Sequence, residues 1–175
     1  MKNDQDSELK DVLCCLDAWN GRAFSSDPPV NKDGVERAAA LARYFEDQER
    51  GLDKIYAAPY LRSLQIAQHL GWSTRRKILV EPGLSNVPHT RVPLPGMLDC
   101  YMSFPSIDLR HSPSSHEPPP DETPVESLPR ILDIGLDIAD RMHAGQNVAV
   151  VTHASSGEDA RAHKTGESLP SQLEE

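Results

Sequence analysis

Aromatic side chains are scarce in this 175-residue chain: three Phe, four Tyr and two Trp make up 5% of it. Hydrophobic residues of all kinds reach 38%, against roughly 45–50% in an average globular domain, so any core must be lean. Cysteine is nearly absent too. Three residues, two of them adjacent (Cys14 and Cys15), supply neither a disulfide framework nor the paired spacing of a zinc site. They read as buried thiols in a reducing setting, cytoplasmic first and nuclear second. No apolar run approaches the roughly 20 residues a membrane-crossing helix needs. The opening MKNDQDSELKD is polar and acidic, without the apolar centre of a secretory signal. Basic residues are outnumbered 18 to 27, for a formal net charge of −9. That sign of field disfavours nonspecific attachment to nucleic acid or to an anionic membrane, and leaves room for a locally basic pocket.

What the chain has in excess is proline, 15 residues in clusters, against a usual share of about 5%. Its length fits one domain with a single core. The expected division is a polar tail over 1–10, one domain over 11–153 with a Pro/Ser-rich insert at about 103–124, and a second polar tail over 154–175. No internal repeat is visible.

Within the domain, Asp11 to Leu16 (DVLCCL) is a short apolar run fit for a buried strand. Asp27-Pro28-Pro29 cannot be helical, because proline restricts itself and the residue before it. Asn31 or Asp33 then caps a helix running to about Arg50, with Val35, Ala38, Ala39, Ala42 and Phe45 on one face and Gly51 as its stop. DKIYAAP reads as a strand closed by Pro59. Leu61, Leu64, Ala67 and Leu70 mark a second amphipathic helix ended by Gly71. KILVEPG is a further strand and turn. From Asn86 to Thr123 regular patterning disappears, and a structureless stretch of that length is functional or disordered. Leu128, Ile131, Leu132, Ile138 and Met142 line a helix from about Ser127 to His143, stopped near Gly145. NVAVVTH follows as a run of β-formers fit for a central strand. Strands alternating with helices predict a three-layer α/β/α sandwich on a mostly parallel sheet.

In such sheets ligands bind beyond the carboxyl ends of the strands, and two of these ends carry groups suited to phosphate. Arg62 falls in the first turn of the helix after DKIYAAP, where a guanidinium can fork two phosphate oxygens beside the helix N-terminus. His153 falls at the tip of NVAVVTH, where an imidazole can donate to a phosphate or stabilise charge on it. Other candidates are weaker. Arg110-His111 lies in the insert and reads as loop. His111 and His116 lack the further ligands a metal would need. Ser155-Ser156 lacks a G-x-S-x-G elbow. Asp17 could accept a phosphoryl group only in one of two registers. No metal and no cofactor is expected.

Taken in order, Asp27-Pro28-Pro29 with Gly34 and Ala38, Ala58-Pro59 with Leu61-Arg62, Gln65 and Ala67, Val80 to Leu84, and Val150 to Ala154 resemble the histidine phosphatase (phosphoglycerate-mutase-like) superfamily. Trp19, Phe104 to Asp108 and Glu122-Thr123 resemble its eukaryotic branch, which holds Sts-type signalling phosphatases, plant and fungal phosphoglycerate-mutase-like proteins and a fungal RNA polymerase III initiation-factor subunit. The resemblance covers about residues 19 to 156. It implies that Arg62 is a phosphate-binding arginine and His153 a catalytic histidine.

Two departures from the family pattern bear on activity. The R-H-G motif whose histidine takes up the phosphoryl group is missing: Leu16-Asp17, or Ser7-Glu8 in the other register, stand in its place, and no histidine precedes His69. Asn86 occupies the place of the acid glutamate, while Glu81 looks like support. The family also continues past T-H-A with a helix and strands, so the expectation is a product cut short at both ends. The reading that follows is a histidine-phosphatase-like protein with little or no turnover, binding a phosphorylated small molecule or a phosphoprotein. The alternatives are an active phosphomonoesterase of which this is an incomplete isoform or gene model, and a non-catalytic interaction module of a signalling or transcription assembly, contacting a protein partner through the Pro-rich insert.

Overall fold

The computed structural model describes residues 27–48, 51–85, 97–114, 118–119 and 122–152. The expected strand at 11–16, both polar tails, and the readings placed on Ser7-Glu8, Leu16-Asp17, Trp19, Asn86, His116, His153 and Ser155-Ser156 lie outside those residues.

Asp27 to Val30 is non-helical, as its prolines require, and the Asn31 side chain caps helix α1 (Lys32–Glu46) by accepting from the Gly34 N–H at 2.9 Å. The helix stops four residues short of the expected Arg50, and Gly51 follows at φ 54. Strand β1 (Lys54–Ala57) leads into helix α2 (Leu61–Thr74). Gly71 does not end α2, which runs on to Thr74 before Arg75 closes it in the left-handed region at φ 55. Close approach explains this glycine: a Cβ there would sit 3.0 Å from the Arg76 carbonyl oxygen. Strand β2 (Ile78–Val80) and a 3-10 turn (Pro82–Leu84) follow.

Helix α3 (Met97–Ser103) falls where no regular structure was expected, because Cys100, the one buried apolar residue among those described in it, is too little periodicity to read. Helix α4 (Pro124–Asp140) begins three residues before the expected Ser127. Thr123 and Glu126 form a reciprocal capping box there, and Pro124 occupies the first turn, where its missing N–H costs nothing. Strand β3 (Val148–Val151) completes the described sheet.

The three strands are parallel in the order β2-β1-β3, with Ile55 opposite Ile78 and Ala149, and Ala57 opposite Val80 and Val151. Among the described residues β1 is therefore the central strand, and β3, expected to be central, is an outer one. Alternation divides the core in two. Ile55, Ala57, Ile78, Val80 and Val151 face α1, α2 and α3, where Ala42, Leu64, Leu70, Cys100 and Phe104 pack. Tyr56 and Ala58 face the other way, onto Ile134 and Ile138 of α4 and onto Leu84. Helices on both faces of a parallel sheet make the expected three layers.

The described part of the insert is no solvated loop. Phe104 and Ile107 are 1% exposed, Ile107 bridges Ile78 in parallel, and the Ser106 carbonyl accepts from the Ile78 N–H at 2.9 Å. Aliphatic and aromatic residues spaced among prolines and serines conceal this docking from a periodicity search.

The capping box carries a pH dependence. Thr123, first through its backbone N–H and then through its hydroxyl, holds the Glu126 carboxyl below the ordinary 4.5. A depressed carboxyl contributes stability that is present above the unfolded value and is lost as pH falls through the folded one. Stability should therefore fall more steeply below about pH 4.5 in the native chain than in Glu126→Gln. Urea titrations at a series of pH values check this, and parallel curves would refute it.

Candidate functional site

The carboxyl ends of all three strands open on one edge of the sheet. Three hydrogen bonds draw these ends together. The Ala58 N–H donates to the Val151 carbonyl at 3.0 Å, the Glu81 N–H to Ala57 at 2.9 Å, and the Thr152 hydroxyl to the Leu84 carbonyl at 2.8 Å. The segment that leads to Arg62, the turn after β2 and the end of the strand that leads to His153 thus meet at one place. The His153 side chain itself is outside the described residues.

Arg62 stands exposed in the first turn of α2. The helix N-terminus beside it is partly occupied. The Leu61 N–H donates to both carboxylate oxygens of the buried Asp27, at 3.0 and 2.9 Å. The side chain of Tyr60, the N-cap residue, does not cap the helix, so Asp27 serves as a cap from 34 residues away. An anion at a helix start is favoured by the unpaired N–H groups and the dipole together. One donor that sequence reasoning offered to a ligand is thereby taken by the chain's own carboxylate. The Val30 N–H donates to the Gln65 Oε1 at 2.8 Å and fastens the same Asp-Pro-Pro segment one turn further along α2.

Beyond β2 the turn Pro82–Leu84 is held from two sides. Arg130 of α4 donates to the Gly83 carbonyl and, at 3.1 Å, to that of Ser85, while its Nε meets Glu122 at 2.9 Å. On the other side Glu81, with no exposed surface, gathers three contacts. The His111 Nε2 lies 2.9 Å from its Oε1, the Ser114 N–H donates to Oε2 at 2.8 Å, and the Ser114 hydroxyl donates to Oε1 at 3.2 Å. The Tyr56 ring meets the His111 ring edge to face, with centroids 6.0 Å apart. Burial, helped by the charge of Glu81 and opposed by Arg141, pushes the Tyr56 hydroxyl above its ordinary 10.0.

Sequence reasoning placed Arg110-His111 in a loop, and they are in one, but His111 is partly buried against Glu81, its side chain 11% exposed. The support role expected of Glu81 fits this geometry. Ser114 bonds to the carboxylate and not to the imidazole, so these three residues do not form the nucleophile–base–carboxylate relay of a serine hydrolase. Among the described residues no group of three or more His, Cys, Asp or Glu is arranged to hold a metal ion, and no helix is long and apolar enough to cross a membrane.

The family model of the histidine phosphatase superfamily (branch 1) matches residues 17–158. No curated protein matches the chain. Among solved structures, the ecdysone phosphate phosphatase of Bombyx mori in complex with tungstate is similar, with a TM-score of 0.64 and 22% sequence identity. The match covers 87% of this chain and 63% of that one, and at this identity the likeness concerns the fold.

Proposed function

Because this chain belongs to the histidine phosphatase superfamily (branch 1), we propose that the carboxyl edge of its sheet binds phosphate monoesters, on a small molecule or a phosphoprotein, with little or no turnover. One observation carries this reading. Arg62 is retained, exposed, in the first turn of α2, while no histidine precedes His69 to accept a phosphoryl group. A guanidinium binds a phosphate dianion through paired charge-assisted hydrogen bonds and needs no covalent step. Turnover needs more: a nucleophile for phosphorus and an acid for the departing alkoxide. In the family's motif the place of that acid falls on Asn86, whose amide is too weak an acid to protonate a leaving alkoxide, and general acid catalysis contributes roughly 10²–10⁴-fold. The buried Cys100, which forms no disulfide among the described residues, suits a reducing, cytoplasmic compartment.

Two assays on the purified, folded chain test the proposal: p-nitrophenyl phosphate hydrolysis, and inorganic phosphate binding by calorimetry. Hydrolysis is expected to stay at the blank. Phosphate affinity is expected to fall at least about tenfold in Arg62→Ala, the loss of one hydrogen bond to a charged group. Hydrolysis abolished by both Arg62→Ala and His153→Ala would overturn the proposal in favour of an active phosphomonoesterase. Protein-partner binding indifferent to both changes, with no phosphate affinity, would favour the interaction module.

A further inference from the structure

The segment from Asp108 to Ser114 is tied to the sheet at its two ends. At the first end the Asp108 N–H donates to the Ile78 carbonyl at 2.9 Å. At the other, His111 and Ser114 both close on the buried carboxylate of Glu81. Between those last two, Ser112 is exposed and is followed by Pro113. Proline keeps the residue before it extended, the backbone form in which a peptide lies along an enzyme groove. The sequence holds one other hydroxyl residue before proline, Thr123, and its hydroxyl is engaged in the α4 capping box.

We propose that Ser112 is a phosphorylation site for a proline-directed protein kinase, and that the phosphate releases residues 111–114 from Glu81. In the step itself the Ser112 Oγ attacks the γ-phosphorus of a nucleoside triphosphate. The bond to the leaving diphosphate breaks, and the hydroxyl proton passes to the kinase's base. The product brings about −1.5 to −2 charges and three acceptor oxygens to a residue next to His111 and two from Ser114.

The surroundings favour release. Glu81 is fully buried and cannot follow its partners outward, whereas the phosphate competes for the imidazole from the solvent side. Arg110 is the adjacent cation; its guanidinium and backbone N–H hold Asp108, and the guanidinium lies exposed on that carboxylate at 3.1 and 3.2 Å. Those bonds hold the Asp108 carboxyl below its ordinary range. An exposed pair of this kind is weak, so the guanidinium can pass from Asp108 to the phosphate. Lys77 is occupied at the Pro105 carbonyl, at 3.1 Å. The kinase acts on the segment while it is open, and the phosphate keeps it so.

The test uses the full chain with a proline-directed kinase and ATP, phosphopeptide mass spectrometry, and amide hydrogen exchange at Ser114, the N–H that Glu81 receives. The expected result is one phosphate on Ser112, none in Ser112→Ala, and Ser114 exchange at least tenfold faster in the phosphorylated chain. Absence of label at Ser112, label on Thr123 in its place, or label at Ser112 with Ser114 exchange unchanged would each overturn the proposal. None of these readouts depends on phosphate binding at Arg62.

Discussion

Replacing Asp27 by alanine is expected to lower the unfolding free energy by about 1–4 kcal/mol. The change removes both acceptors of the Leu61 N–H. That donor sits at a helix start with no side-chain cap of its own, on a residue with no exposed surface. An unpaired buried N–H costs about 1–3 kcal/mol, and the lost attraction between a carboxylate and the helix dipole adds roughly 0.3–1. Asp27→Asn keeps one acceptor oxygen without the charge and should lose about half as much. Urea unfolding of the three proteins measures both steps. A loss below about 0.5 kcal/mol for alanine, the scale of an ordinary surface change, would show that the helix is capped in some other way.

Glu81 should be the second sensitive position, and alanine and glutamine should separate its two contributions. In Glu81→Ala the Ser114 N–H, the Ser114 hydroxyl and the His111 ring face an empty space. The loss is put at about 3 kcal/mol, typical of deleting one member of a buried polar network. Glutamine restores the volume but not the chemistry. The Ser114 N–H donates to Oε2 while its hydroxyl and the His111 Nε2 meet Oε1, so the amide keeps its oxygen on the Ser114 N–H only by turning its NH2 toward the hydroxyl and the imidazole, which must then accept. Glu81→Gln is therefore expected to lose less than alanine, the share that depends on the carboxylate charge, and hydrogen exchange at the Ser114 amide should accelerate more in Glu81→Ala than in Glu81→Gln. A glutamine variant as stable as the native chain would mean that shape alone holds the segment.

The parts of this fold that were legible in the sequence are those where one residue decides a local outcome. Asp27-Pro28-Pro29 forbids helix, Asn31 caps one, and the β-branched runs at Ile55, Ile78 and Val148 to Val151 mark strands that lie in the sheet. Arg62 was legible for the same reason, since a strand closed by Pro59 and a helical period from Leu61 leave it one place to stand. What escaped is non-local. Nothing near Asp27 in the sequence announces that its carboxylate caps a helix 34 residues on. His111 lies 30 residues from Glu81, and Arg130 lies 47 from Gly83. A charged residue bound for the interior carries no periodicity, so it looks like any solvated one. Gly71 misled for the opposite reason: a stop signal in sequence statistics is, in this chain, a point where α2 passes close to the backbone at Arg76. The insert hid Phe104 and Ile107 among prolines, where two buried residues make no pattern.

The sheet order places its most separated pieces side by side. Strands β1 and β2 and the helix between them lie within residues 54–80, but β3 begins at Val148, and the Asp53 carboxylate receives the Asn147 N–H across 94 residues of chain. During synthesis at roughly 5–20 residues per second, the first two strands can pair about 3–14 seconds before β3 has been made. Throughout that interval the Ala58 N–H and the Leu84 carbonyl, later joined to Val151 and Thr152, have only water as a partner, and one flank of β1 stays open to any other extended chain. The nascent protein therefore passes through a half-built sheet whose vulnerable flank is the one that later completes the edge proposed to bind phosphate.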